Sequence, residues 1–242
     1  MVLIVLAVIS VNSPRRHALA DEFNFDPARV AQGLAIAPVH LTYEPQNRNL
    51  VGFGSYLVNA VADCDGCHNP GIPPNFNYAA GSNPYFSQFP AKIDPAGYLA
   101  GGQDFGQVAI DANFNLIGPH IISRNLTPNY TGLPEGGNTF DQFLQIIRHG
   151  TDLDHLHPPC ATDPSNPNCL FALPGVNSVD GNLLQIMPWP VFNNMSTQDL
   201  YAIYVYLSAI PCIEGPAHVS DLPPTSQYAF KALHNDCTKP ED

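Results

Sequence analysis

Cys64-Asp65-Gly66-Cys67-His68 carries the most specific chemistry in the chain. In a C-x-x-C-H run, two thiols three positions apart can add to the two vinyl groups of one porphyrin. The imidazole that follows is then held below the ring as an iron ligand. Two other uses of paired cysteines compete. A redox dithiol normally sits in a βαβ setting, and the flanking sequence offers none. A zinc ribbon needs a second closely spaced pair, which Cys160, Cys169, Cys212 and Cys237 do not supply. One covalent haem c is the expected cofactor, attached at Cys64 and Cys67 with His68 on its iron.

A low-spin electron-transfer haem needs a sixth ligand. The sequence has three methionines, Met1, Met187 and Met195. Of the histidines near the middle helix, His149, His155 and His157, the last two could also touch a metal, although the simpler reading is that they are loop residues with local hydrogen bonds. An iron without a sixth ligand would be open to a gas or peroxide, and the protein would then be a sensor or a peroxidase.

Several elements must position these groups. Residues 52–63 run straight into the motif with Tyr56, Leu57, Ala60 and Val61 at helical spacing, and Ser55 is a possible N-cap. Residues 69–137 are rich in Pro, Gly and Asn and read as long loops. Within them Gln107–Ile110 and Pro119–Ile122 could pair as a small hairpin. A second helix is expected over 139–149, where Thr139 and Gln142 form a capping box, Phe140, Phe143, Leu144 and Ile147 make the apolar stripe, and Gly150 stops it. A third opens at Ser196 with Asp199 at N3, and its stripe is Leu200, Ile203, Tyr204 and Leu207. Residues 21–50 show no clean period and read as an extended N-terminal extension over the surface. Residues 213–242 form a tail tied back by Cys237.

Proline, at 25 of 242 residues, is about twice average usage, and charged residues are only 12%. Few regular elements and long ordered loops are expected, with a porphyrin supplying apolar surface to the core. The apolar run 1–11 is too short to span a bilayer, and Ala18-Leu19-Ala20 forms a small-x-small cleavage site, so residues 1–20 read as a secretory signal peptide. Retention as an interfacial anchor is the alternative. Without Arg15 and Arg16 the charge moves from −12 to −14, which excludes a nucleic-acid role. Four cysteines remain after haem attachment. The simplest pairing, 160–169 and 212–237, implies an oxidising compartment, periplasmic or extracellular.

The order of motifs resembles the class I cytochrome c family. There a helix leads to C-x-x-C-H, and a ligand methionine, often Met-Pro, precedes a C-terminal helix with a Tyr-Leu or Tyr-Val pair. Met187-Pro188 lies 19 residues before Tyr206-Leu207, close to the usual separation, while Met195 is 11 before it. The resemblance implies Met187 as the sixth ligand. Ile122-Ser123-Arg124-Asn125-Leu126-Thr127-Pro128, Thr131-Gly132-Leu133 and Met187-Pro188-Trp189-Pro190 narrow it to cytochrome c modules attached to periplasmic alcohol and gluconate dehydrogenases. Those typically carry three haems, whereas this chain has one motif. By this resemblance Arg124, Asn125 and Trp189 approach the haem propionates. It also implies a mainly α cytochrome c fold, three to five helices around one haem, over residues 51–212. The expected role is that of a non-enzymatic carrier of single electrons, possibly the electron-transfer subunit of a dehydrogenase. Its partners would be redox proteins: a dehydrogenase, a terminal oxidase or another cytochrome. Membrane contact would come only through a partner or an uncleaved N-terminus. A self-assembling form with stacked haems is a further alternative.

Overall fold

Asp26 caps the first helix by accepting from Ala28 N (2.9 Å), and Pro27 occupies its first turn, where a missing N–H costs nothing. This helix, α1 (Pro27–Ile36), falls where the sequence reads as extended, and that expectation is corrected. Val30 and Gly33 are buried against the next helix, while its exposed positions are alanine and proline, with Arg29 and Gln32 the polar ones. Ten residues are too few for a marked period, so packing rather than propensity decides the segment. The computed structural model describes residues 24–71, 77–110, 113–154, 180–215 and 230–240. The expected signal peptide, the 160–169 bridge, His155 and His157 lie outside these residues.

The second helix, α2 (Arg48–Tyr56), begins earlier than its apolar pattern suggests. Ser55 is not its N-cap. It is buried mid-helix, and its Oγ donates to Gly33 O of α1 (2.6 Å). The helix then widens into one π-turn, Leu57–Val61, closed by Ala62 N to Leu57 O (2.8 Å). Single π-turns in helices recur at functional sites, and this one delivers Cys64.

A hairpin, β1 (Asp104–Ile110) and β2 (Leu116–Ile122), pairs antiparallel with Gln107 opposite His120. Both expected strand segments lie inside it. Helix α3 (Phe140–His149) has the expected capping box, and Gly150 ends it in the left-handed conformation (φ 67°). A short turn of helix, α4 (Trp189–Phe192), follows the Met187 loop, and α5 (Thr197–Leu207) carries a second capping box between Ser196 and Asp199. A last turn, α6 (Phe230–Leu233), lies in the C-terminal tail. Helices dominate, with one two-stranded sheet among the described residues.

The core forms where α1, α2, α3 and α5 meet. Leu50, Val51 and Val58 of the α2 region pack with Leu200, Ala202, Tyr206 and Leu207 of α5. Burying such a side chain stabilises by roughly 1.5–3 kcal/mol. Small residues set how close the helices come. A Cβ on Gly33 would lie 1.8 Å from Gly52 O, and one on Gly54 would lie 2.0 Å from Ala202 O. Backbone meets backbone at both crossings. Beside the second crossing a buried polar knot forms: Tyr98 Oη donates to Asn59 Oδ1 (2.6 Å) and lies 2.8 Å from Tyr206 Oη, while Asn59 Nδ2 donates to Ser55 O (3.0 Å) and Tyr206 Oη (3.2 Å). A satisfied knot of this kind fixes one packing arrangement.

Candidate functional site

The C-x-x-C-H segment leaves α2 through Asp63, whose backbone is left-handed (φ 48°), and closes a single 3₁₀ turn over Cys64–Gly66. Its own hydrogen bonds aim the side chains. His68 N donates to Cys64 O (2.9 Å), and Gly101 N donates to His68 O (3.0 Å). The buried Asp65 carboxylate accepts from Leu99 N (2.9 Å), and Asn69 donates to Asp65 O. With its amide oriented to suit its neighbours, buried Gln103 donates to Gly66 O (3.0 Å) and Cys67 O (3.3 Å). Gly101 is obligatory here: its φ is +72°, and a Cβ would meet Arg124 C at 2.4 Å.

His68 Nδ1 lies 2.8 Å from Arg124 O. Donation to that carbonyl fixes the tautomer and leaves Nε2 as the nitrogen available to a ligand, the usual outer arrangement of a metal-binding histidine. The acceptor lies in the loop after β2. Burial is the main cause that holds the imidazole below its ordinary pKa and keeps it neutral, as a ligand must be.

Cys64, Cys67, His68 and Met187 line one cavity that encloses about 1210 Å³ of atom-free space, its mouth included. Its walls are mostly apolar: Ile121, Ile122 and Leu126 after and within β2, Phe143, Ile146 and Ile147 of α3, and Leu200, Ile203 and Leu207 of α5. Met195 reaches the same cavity, so placement alone does not separate the two methionines. His149 is exposed at the end of α3 and does not line it. Cys64 and Cys67 are not disulfide-bonded to each other. Burial first, then the Asp63 carboxylate, pushes the Cys64 thiol up to about 12, and the same two causes raise Cys67. A catalytic dithiol requires the opposite shift.

Against known proteins, the chain matches no family model, no curated protein and no solved structure. The site is therefore assessed on its own residues. Among the described residues no group of three or more His, Cys, Asp or Glu side chains could hold a bare metal ion. An apolar cavity with two thiols, one imidazole fixed through Nδ1 and a thioether instead fits a covalently attached haem, which brings most of its iron's ligands with it.

The Met187 loop is held by the segment after α3. Leu184 N donates to Gly150 O (2.7 Å), and Asp152 N donates to Asn182 O (2.8 Å). Trp189 Nε1 donates to Leu184 O (3.2 Å), and its ring covers Gly150, where a Cβ would lie 2.3 Å away. Arg148 donates to Asn193 O and to Thr197 Oγ1 (3.3 Å). Arg124 connects the two sides of the cavity. Its carbonyl holds His68, and its guanidinium is paired with Asp152 and Asp154 of the segment that holds the Met187 loop.

Arg124, Asn125 and Trp189 each have protein partners for their polar groups. Arg124 alone of the three lines the cavity. Asn125 donates to Ile213 O (2.8 Å) and Leu233 O (3.3 Å) and accepts from Thr127 N (2.9 Å), so it fastens the loop to the C-terminal tail. The Cys212–Cys237 disulfide closes that tail, as the cysteine spacing suggests. Glu135, which no sequence signal marks, also lines the cavity. A carboxylate in a Pro-Glu-Gly-Gly turn carries no period or motif that marks it in advance.

Proposed function

We propose that the chain is a periplasmic or extracellular monohaem c-type cytochrome with a cytochrome c fold, carrying single electrons between redox proteins. The observation that supports this reading is the convergence of Cys64, Cys67, His68 and Met187, 123 positions apart at the extremes, on one apolar cavity. Haem c bound there would supply one-electron chemistry at its iron. The residues do the rest. Cys64 and Cys67 anchor the group through thioethers. His68, held at Nδ1 by Arg124 O, presents Nε2, and Met187 presents its thioether from the opposite loop. A thioether ligand favours the reduced state and raises the potential relative to two imidazoles. The apolar walls exclude water and push the same way. A rigid frame suits a carrier, because little has to move when the charge of the site changes. The Cys212–Cys237 disulfide supports the oxidising compartment. The partners proposed are a dehydrogenase, a terminal oxidase or another cytochrome.

Because Met195 also lines the cavity, a second ligand assignment is specific enough to test. The oxidised protein should show the weak far-red charge-transfer band of methionine–iron ligation. Met187→Ala should abolish it and let the reduced protein bind carbon monoxide, and Met195→Ala should leave it intact. The reverse pattern would move the ligand to Met195. Fast carbon monoxide binding by the unaltered protein would favour the sensor or peroxidase reading instead.

A further inference from the structure

Two acids line the cavity, both with left-handed backbones: Asp63 beside Cys64, and Glu135. The Glu135 backbone is left-handed (φ 50°, ψ 48°) between Pro134 and Gly136, a conformation costly for a non-glycine residue. Such strain persists when its surroundings over-determine it, and it clusters at functional sites. The turn hangs from the loop that holds His68: Glu135 N donates to Leu126 O (3.3 Å), Gly136 N to Thr127 O (3.4 Å), and Asn129 Nδ2 to Gly136 O (3.0 Å). The result is a carboxyl group on the cavity wall. Its hydrogen-bond partner is a neutral amide, Asn138 Nδ2 (3.2 Å).

We propose that Glu135 takes up a proton when an electron enters the cavity and releases it when the electron leaves, so that the protein couples electron transfer to proton transfer. This rests on the haem reading above. In the reductive step a one-electron donor protein supplies the electron. Hydronium from bulk solvent supplies the proton: one of its O–H bonds breaks, leaving water, as an O–H bond forms at the Glu135 carboxylate, and the charge of the cavity is unchanged overall. Oxidation reverses each change.

The groups that face Glu135 come from three elements. Asn138 lies on its own turn, Arg124 on the loop after β2, and Asp154 on the segment after α3, with Asp152 beside it. Arg124 is already paired with both aspartates, so its positive charge is largely committed. Burial is the first cause raising the Glu135 pKa above the ordinary carboxylate range. Asn138 and Arg124 oppose it, and Asp154 adds to it. An added electron in the same low-dielectric cavity raises it further.

The test is the midpoint potential of the haem-loaded protein from pH 4.5 to 8, with proton uptake on reduction followed by a pH dye. The unaltered protein should lose potential with pH over part of this range, at up to about 59 mV for each tenfold fall in proton activity. Glu135→Gln keeps the acceptor for Asn138, and Glu135→Gly suits the left-handed backbone. Both should give shallower profiles and less proton uptake, keeping only what Asp65 and other groups contribute. An infrared redox-difference band from the protonated Glu135 carboxyl should be present only in the unaltered protein. A flat profile in the unaltered protein, or an equal slope in both variants, would overturn the proposal and leave the carrier reading standing. Absence of covalent haem would overturn both.

Discussion

Asp65 shows how a single residue can set the pH response of this frame. Its carboxyl is held at about 7, chiefly by burial and further by Asp63, with the Leu99 N–H opposing. In the unfolded chain it ionises near 3.9. Between these values the unfolded state has released a proton that the folded state still holds. Stability is therefore full below about pH 4 and falls as pH rises towards 7. Asp65→Asn keeps an oxygen for Leu99 N and removes the charge. Unfolding free energies compared at low and neutral pH should show the variant gaining on the order of 2–4 kcal/mol at neutral pH, with little change at pH 4. The proposed ligand Met187 invites a second measurement at this scale. Met187→Ala should lower the midpoint potential by an appreciable part of the roughly 0.8 V that axial ligands span, and Met195→Ala should leave it near the unaltered value. At this scale the sequence is most legible where chemistry is local. Cys64, Cys67 and His68 are contiguous, so their joint purpose can be read directly. Met187 is marked only by resemblance, and its position in the cavity depends on the fold.

Among the elements, the helices with capping boxes are visible in advance. Thr139 with Gln142 and Ser196 with Asp199 satisfy donors within four residues, and their apolar stripes repeat at helical spacing. Helix α1 is not visible, because its burial depends on glycine contacts with α2 that no local pattern announces. Ser55 misleads for the same reason: its partner, Gly33 O, lies 22 residues away. The glycine crossings give a direct test. Gly54→Ala would drive a methyl group into Ala202 O and should destabilise by about 1–3 kcal/mol or more in thermal or denaturant unfolding. Arg124 makes the loops interdependent. Arg124→Gln leaves its carbonyl on His68 but ends the ion pairs to Asp152 and Asp154. The Met187 loop should then detach more readily, and the far-red methionine–iron band should be lost at lower pH than in the unaltered protein. An unchanged band would show that the backbone bonds at Gly150 and Asp152 suffice.

At the scale of the whole molecule, a chain with few charges and 25 prolines builds its core around a cavity. The hairpin, α3, the Met187 loop and α5 all turn apolar side chains towards that space, and the C-terminal tail is knitted to the loop behind His68. Asn235 Nδ2 donates to Thr127 O (3.2 Å) and Pro128 O (3.0 Å), and Tyr130 N to Asp236 O (2.7 Å). Among the described residues no helix is long and apolar enough to cross a membrane. The Cys212–Cys237 link spans 25 positions, and removing it should cost about 3 kcal/mol in equilibrium unfolding. The alternation of Pro-rich loops and short helices can be read from composition. Which walls face one another cannot, because contacts such as Tyr98 with Tyr206 join residues 108 apart.

The central claim is that Cys64 and Cys67 bind one haem, with His68 and Met187 on its iron. The most direct measurement is the intact mass of the protein matured with export and haem-attachment machinery, read together with its absorption spectrum. The expected result is the polypeptide plus one covalent haem, located by peptide mapping at Cys64 and Cys67, with a low-spin spectrum and the methionine–iron band. The bare polypeptide mass from material so matured, or a haem mapped to any other residue, would contradict it.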